Sequence, residues 1–175
     1  MIDQKVKSVI RDVPDFPKEG IVFKDITPIF QDASLVEEIV KEIVRQWDGV
    51  KLDAVAGVES RGFLLGPMIA KELNVPFIPI RKKGKLPYTT IEESYDLEYG
   101  SATIEMHIDA VKEGQNVLVH DDLLATGGTA KATGKLIEKV GGEVAGFSFM
   151  INLSFLNGES ILKESGTDVK SLINY

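Results

Sequence analysis

The run VLVHDDLLATGGTAKATGKLI (117–137) carries the clearest chemistry in the chain. Apolar residues lead into two consecutive carboxylates, Asp121 and Asp122, and then into a short loop, Ala125, Thr126, Gly127, Gly128 and Thr129. Glycines let a backbone curl tightly and, lacking side chains, let an anion approach the amides. A helix opening directly after such a loop adds partial positive charge, and Thr126 and Thr129 add hydroxyl donors. Together these features make a phosphate cradle. Adjacent acids at a strand end repel each other and add nothing to a core, whereas carboxylates accept hydrogen bonds from hydroxyls. A ligand with both a phosphate and sugar hydroxyls suits the run, and a tight turn without a ligand is the other reading of ATGGT taken alone. The chain has no GxxxxGK[ST] string and no GxG, so it carries neither a Walker loop nor a dinucleotide fingerprint.

A second group is cationic. Arg81, Lys82, Lys83 and Lys85 fall within five positions, at the head of a polar stretch that ends at Gly100. Such a run usually means a solvated loop. Its place before a long polar segment and beside a phosphate cradle points instead to a polyanion. Arg61 stands at the expected start of a helix, where a cation opposes the helix dipole, so an anion is its natural partner.

These residues need elements to position them. Strands are expected over 53–58, 76–80, 116–122, 143–153 and 169–173, and helices over 3–11, 60–73, 127–140 and 158–164. A further helix begins at Ser34, with Ser34 and Glu37 read as a capping box and an apolar stripe running from Leu35 to Trp47. Residues 17–20 read as a turn, and 20–30 commit to neither period. Apolar strands alternating with helices predict an α/β fold, a parallel sheet with helices on both faces, whose ligands bind at the carboxyl ends of the strands. Residues 81–100 are too long for an ordinary connection and read as an active-site lid, with SYDLEYG and SATIEMH forming a hairpin at its far end.

Composition narrows the classes. The length of 175 residues, 43% hydrophobic and 27% charged, suits one folded domain. A net charge of −7 argues against nucleic acid as a partner. The absence of cysteine removes disulfides, thiolate zinc sites and thiol nucleophiles, and two histidines (His107 and His120) are too few for a multi-histidine metal site. No stretch is apolar enough to span a bilayer and the N-terminus has no signal-peptide pattern, so a soluble cytoplasmic protein is expected.

VLVHDDLLATGGTA resembles the phosphoribosyl pyrophosphate signature of the type I phosphoribosyltransferases. FPKEGIVFKDITPIF, AGVESRGFLLGP, IPIRKKGKLPYTT and SYDLEYGSATIEMH are similar to the adenine branch of that family, so the likeness covers about residues 14–155 in the family's order. It implies a mainly parallel twisted sheet flanked by helices, a single domain over 1–175 with a small hood from about 1–33, and a mobile loop at about 82–100. It also implies transfer of a phosphoribosyl group from phosphoribosyl pyrophosphate to N9 of adenine, giving AMP and pyrophosphate, with Mg²⁺, in a homodimer that uses neither nucleic acid nor membrane.

Carried over by position, the resemblance gives Asp121 and Asp122 the ribose hydroxyls and the charge developing at the anomeric carbon. Residues Ala125, Thr126, Gly127, Gly128 and Thr129 take the 5′-phosphate. Glu59, Ser60 and Arg61 form the pyrophosphate loop, with a cis peptide expected at Glu59–Ser60, and Arg81 and Lys85 reach the same pyrophosphate. Val22, Phe23 and Lys24 recognise the base, and Glu98 and Tyr99 are the catalytic pair of the loop, with Glu98 as general base. Two positions depart from the pattern. His120 replaces an apolar β-branched residue and is expected as a buried strand histidine with a hydrogen bond. Lys24 replaces arginine, which matters only where a guanidinium fork is needed. The alternatives are an oxopurine (hypoxanthine, guanine or xanthine) as the acceptor base, or a non-enzymatic regulator that senses phosphoribosyl pyrophosphate.

Overall fold

The computed structural model describes residues 1–97 and 100–175. Its elements, in chain order, begin with α1 (Ile2–Val9), β1 (Arg11–Pro14), β2 (Val22–Asp25), a 3-10 turn (Thr27–Gln31) and α2 (Ala33–Gln46). The central part is β3 (Ala54–Val58), α3 (Gly62–Glu72), β4 (Phe77–Lys82), β5 (Thr90–Asp96) and β6 (Ser101–His107). Then come β7 (Asn116–Leu124), α4 (Gly128–Lys139), β8 (Glu143–Asn152), a 3-10 turn (Ser154–Leu156), α5 (Gly158–Lys163) and β9 (Val169–Asn174).

Seven strands form one sheet in the order β5-β6-β4-β3-β7-β8-β9. The five from β4 to β9 in that order run parallel, while β5 and β6 add an antiparallel hairpin at the β4 edge. The chain leaves β3 toward one edge through β4 and returns to its other side with β7. The carboxyl ends of β3 and β7 therefore flank the point where strand order reverses, the place where such sheets bind ligands. Alternation along the strands feeds two cores. Val117, Val119, Phe147 and Phe149 pack with Leu136 and Ile137 of α4. Val55 and Leu118 pack with Ile39 and Ile43 of α2, with Trp47 just after it, and with Leu65 and Ile69 of α3. A sheet buried on both faces explains why its strands are almost wholly apolar. β1 and β2 form a separate two-stranded ribbon, the observed form of the expected hood, with Asp12 opposite Lys24 and Val13 opposite Phe23.

Three expectations are corrected. The helix α2 is capped by Asp32, whose carboxylate accepts from the Ser34 and Leu35 amides at 2.9 and 3.1 Å. Glu37 points the other way and pairs with Lys41 one turn on, so Ser34 and Glu37 form no capping box. The hairpin expected of SYDLEYG and SATIEMH is present, but its first strand begins earlier, at Thr90, and runs to Asp96, paired residue for residue with β6. Its alternation of inward and outward residues is hidden by polar side chains, because one face of an edge hairpin is solvated. Asp121 and Asp122 lie within β7, which runs on to Leu124, rather than at its end.

Candidate active site

The glycine loop expected to cradle a phosphate turns as its residue types require. Gly127 has φ +85°, a left-handed conformation that side chains resist, and the chain turns there from β7 into α4. Gly128 and Thr129 are the first residues of α4, so their amides belong to the unpaired set at a helix start. A cavity of about 80 Å³ lies along this loop, lined by Asp121, residues 123–130 and Phe149. Two larger clefts, of about 350 Å³ beside α4 and α5 and about 420 Å³ beside α2 and α3, include none of the candidate site residues. The loop is backed from beneath by Gly158, where a Cβ would stand 2.2 Å from the Ala125 carbonyl oxygen. Thr129 donates its hydroxyl to the Tyr95 hydroxyl at 2.9 Å, which brings β5 against the cradle.

The acid pair lies next along the sheet. Asp121 accepts from the Asp122 amide at 2.9 Å, and the start of α3 presses against it: a Cβ on Gly62 would come within 2.9 Å of the His120 carbonyl oxygen and 3.1 Å of Asp121 Oδ1. Burial pushes the Asp121 carboxyl well up, and the charge of Asp122 pushes it further. Burial raises Asp122 too, and Arg61 offsets part of that rise. Arg61 Nε stands 3.1 Å from Asp122 Oδ2. Its guanidinium carbon also lies 5.1 Å from the centre of the Phe23 ring, and Phe16 meets that ring edge-on at 5.1 Å.

The loop after β3 has the expected cis peptide at Glu59–Ser60. Its residues part company, however. Arg61 goes to the acid pair and the ribbon, whereas Glu59 accepts from Arg81 Nη2 at 3.0 Å and the Lys82 amide at 2.8 Å. Burial lifts the Glu59 carboxyl, but Arg81 and that amide outweigh it and hold it below the usual range. Glu59 thus aims Arg81, which also donates to the Lys85 carbonyl at 2.9 Å. Ser60 is exposed at the tip of this loop. Lys83 pairs with Glu92 at 2.8 Å, the ordinary fate of a surface lysine. Among buried polar atoms, Arg61 Nη1, Arg81 Nε and Asp122 Oδ2 have no hydrogen-bond partner. Two donors and one acceptor left over around one rim match an anion together with a hydroxyl.

Lys24 takes no part in this rim. Its ammonium pairs with Asp12 at 2.7 Å on the far side of the ribbon. Val22 is exposed, and Glu98 and Tyr99 lie outside the described residues. His120 is fully buried, and neither ring nitrogen has a partner in good hydrogen-bond geometry, which corrects the expected bond. Burial lowers its pKa to about 4, and the Ser148 backbone nearby opposes that only in part.

Sequence reasoning missed Tyr95, Gly158 and Glu105. The Glu105 carboxylate is buried on β6 and accepts from the amides of Lys85 and Leu86 at 2.8 and 2.7 Å, which shapes the turn that carries Lys85. Burial raises its pKa, but the amides of this turn outweigh that and keep it ionised. An acid set between Ile104 and Met106 in the expected hairpin strand SATIEMH was the available signal.

The phosphoribosyl transferase domain model matches residues 24–172. The chain is 55% identical to an adenine phosphoribosyltransferase of Cytophaga hutchinsonii, covering 100% of this chain and 97% of that protein. The crystal structure of an adenine phosphoribosyltransferase from Thermoanaerobacter pseudethanolicus is similar with a TM-score of 0.95 at 46% identity, over 100% of both chains. That of the Saccharomyces cerevisiae enzyme, complexed with adenine and an imino-altritol bisphosphate, reaches 0.92 at 38% identity over 98% of both chains. Likeness of this extent in both sequence and fold means that the chain belongs to the phosphoribosyltransferase family, among its adenine phosphoribosyltransferases.

Proposed function

We propose that the chain transfers the phosphoribosyl group of phosphoribosyl pyrophosphate to N9 of adenine, releasing pyrophosphate and forming AMP, as a step of purine salvage. The observation that carries this reading is one continuous line of contacts. It runs from the Phe23 ring to Arg61, from Arg61 to Asp122, from Asp122 to Asp121, and on to the glycine loop that opens α4. A base, a ribose and a 5′-phosphate follow one another in the same order.

In this reading the amides of Gly127, Gly128 and Thr129 and the hydroxyl of exposed Thr126 bind the 5′-phosphate. Asp121 and Asp122 accept the ribose hydroxyls. Adenine lies against Phe23, held through the backbone of 22–24, and Arg61 bridges base and ribose. Ser60, Arg81 and Lys85 take the pyrophosphate, with Glu59 keeping Arg81 in place. N9 attacks the anomeric carbon as the C–O bond to pyrophosphate breaks, with inversion through an oxocarbenium-like transition state. The acid pair supplies negative charge beside the developing cation, and Arg81 and Lys85 supply positive charge where the leaving group gains its own. Glu98 accepts the ring proton of adenine, with Tyr99 beside it in sequence. The ribbon above and the β5–β6 hairpin beside the site limit access of water to the activated sugar.

Mg²⁺ belongs with the pyrophosphate substrate. Among the described residues no cluster of three acidic or histidine side chains is placed to hold a metal. Asp122 Oδ2, which lies 3.1 Å from Arg61 Nε but accepts no hydrogen bond, suits a cation held mainly by substrate oxygens with a carboxylate nearby. When bound, it neutralises charge on the leaving group. The same reading makes the protein a cytoplasmic homodimer. Among the described residues no helix is long and apolar enough to cross a membrane.

The test is AMP formation from a panel of purine bases with phosphoribosyl pyrophosphate and Mg²⁺. Adenine is expected to be turned over far faster than hypoxanthine, guanine or xanthine. Good oxopurine turnover without adenine turnover sinks the assignment of the base, and no turnover with any base favours a sensor.

A further inference from the structure

Side chains alternate across β2, so Phe23 and Lys24 face opposite ways. Phe23 faces Arg61 and the acid pair, while Lys24 turns to the outer side of the ribbon. There its side chain is only 13% exposed, 2.7 Å from Asp12 Oδ1 and with its ammonium 4.0 Å from the centre of the Tyr175 ring. Lys7 of α1 approaches the same ring at 5.1 Å. Tyr175 is itself tied to the body of the protein. Its amide donates to the Asn152 carbonyl and its carbonyl accepts from the Ser154 amide, each at 2.9 Å. Asn152 ends β8, the strand next to β7 and its acid pair.

Among the described residues β1 and β2 pair only with each other, so no backbone ladder among them sets how the ribbon sits over the sheet. The buried Ile26 that follows β2 anchors one end of the ribbon, and side-chain contacts set its position along the rest. One such contact is Phe23 against Arg61, and another, on the opposite side of β2, is Lys24 against Tyr175. We propose that Tyr175 is a positioning residue for the acceptor base: by holding the Lys24–Asp12 pair over its ring, it sets the position of the β2 backbone that meets adenine. This rests on the reading of residues 22–24 as the adenine-binding segment. It gives Lys24 a clear task. The ammonium is not a ligand of the base, because the alternation that aims Phe23 inward aims Lys24 away. A cation over an aromatic face at a half-buried site shifts an equilibrium roughly two- to thirty-fold.

The experiment is steady-state kinetics on the full chain with adenine and phosphoribosyl pyrophosphate varied in turn, for the unsubstituted protein and for Y175L, Y175F and K24M. Y175L removes the aromatic face while keeping bulk, and Y175F keeps the face and removes only the hydroxyl. Y175L and K24M are expected to raise KM for adenine about five- to tenfold and to move KM for phosphoribosyl pyrophosphate less than twofold, with kcat of Y175L nearly unchanged. Y175F is expected to restore KM for adenine to within twofold of the unsubstituted protein. If Y175L does not fold, K24M and Y175F still carry the comparison. The proposal is overturned by an unmoved adenine KM in K24M, by equal rises in both KM values, or by a Y175F as impaired as Y175L. No adenine turnover in the unsubstituted protein overturns the reading of the base and this proposal with it. Normal adenine turnover with unmoved KM values overturns this proposal alone.

Discussion

Thr129 donates its hydroxyl to Tyr95 across 2.9 Å, joining the first turn of α4 to the edge strand β5. The same hairpin is held along α4 by Glu93, which lies 3.2 Å from Lys135 and 2.6 Å from Lys139. The hairpin at the far end of the expected lid is thus fastened at its stem to the glycine loop and to α4.

Replacing Tyr95 with Phe removes that acceptor and leaves the ring in place. A net loss of about 1 kcal/mol is expected, since this is the usual worth of one intramolecular hydrogen bond. For a chain of this length that lowers Tm by about 2–4 °C. In a T129V background the same change is expected to cost much less, because the partner is already gone. Thermal unfolding of the two single variants and the double variant measures the coupling, and additive losses reject the link.

Gly158 is the floor of the phosphate loop. A Cβ there meets the Ala125 carbonyl oxygen at 2.2 Å and the Gly127 nitrogen at 3.0 Å, both backbone atoms that cannot rotate away. Gly158→Ala is expected to destabilise the fold by about 1–3 kcal/mol through overpacking. It should also raise KM for phosphoribosyl pyrophosphate tenfold or more while moving KM for adenine little. Kinetics with each substrate varied in turn checks the split.

Asp122 is the counter-charge of Arg61 and faces the anomeric carbon in the proposed reaction. Asp122→Ala is expected to lower kcat about 10²–10³-fold, as when a transition-state electrostatic partner is removed. AMP binding should weaken far less, because the interaction strengthens only as charge develops. Calorimetric titration with AMP beside turnover measurements separates the two, and equal losses remove Asp122 from the chemical step.

His120 makes stability depend on pH. Burial lowers its pKa to about 4 from the ordinary histidine value of 6.5, so the folded state favours the neutral ring. Its contribution is complete above about pH 6.5 and is lost as pH falls toward 4, because the unfolded chain then binds a proton that the folded chain refuses. The full loss is of order 3 kcal/mol. Asp121, with its pKa raised by burial, acts with the opposite sign: its contribution is present at low pH and is lost as pH rises through its raised pKa. The test is therefore the difference between the unsubstituted protein and H120V. Denaturant unfolding from pH 7 to 4.5 should show a steeper fall in the unsubstituted protein, and parallel curves reject the assignment.

The sequence alone determined the parts whose logic is local. The acid pair, the glycine turn and the helix start lie in one strand–loop–helix run, so residue type and spacing were enough to read a tight glycine turn into a helix beside two carboxylates. The alternation of apolar strands with amphipathic helices was enough for a parallel sheet covered on both faces. The Ser34–Glu37 cap was misread because Asp32, two residues earlier, competes for the same amides and wins. The hairpin of SYDLEYG and SATIEMH was legible, but the first half of β5 was missed because an edge strand with one wet face does not need an apolar run.

What the tertiary structure decided are the pairings between distant residues. Arg61 and Arg81 look alike in sequence, yet one closes on Asp122 and the other on Glu59. The reason is that β3 lies between β4 and β7, so the loop after β3 has a different neighbour on each side. Gly158 beneath Ala125, Glu105 beneath Lys85 and Tyr175 beneath Lys24 have the same origin. Periodicity tells which face of an element is buried. It carries no information about which strand lies beside which, and that adjacency places every one of these contacts.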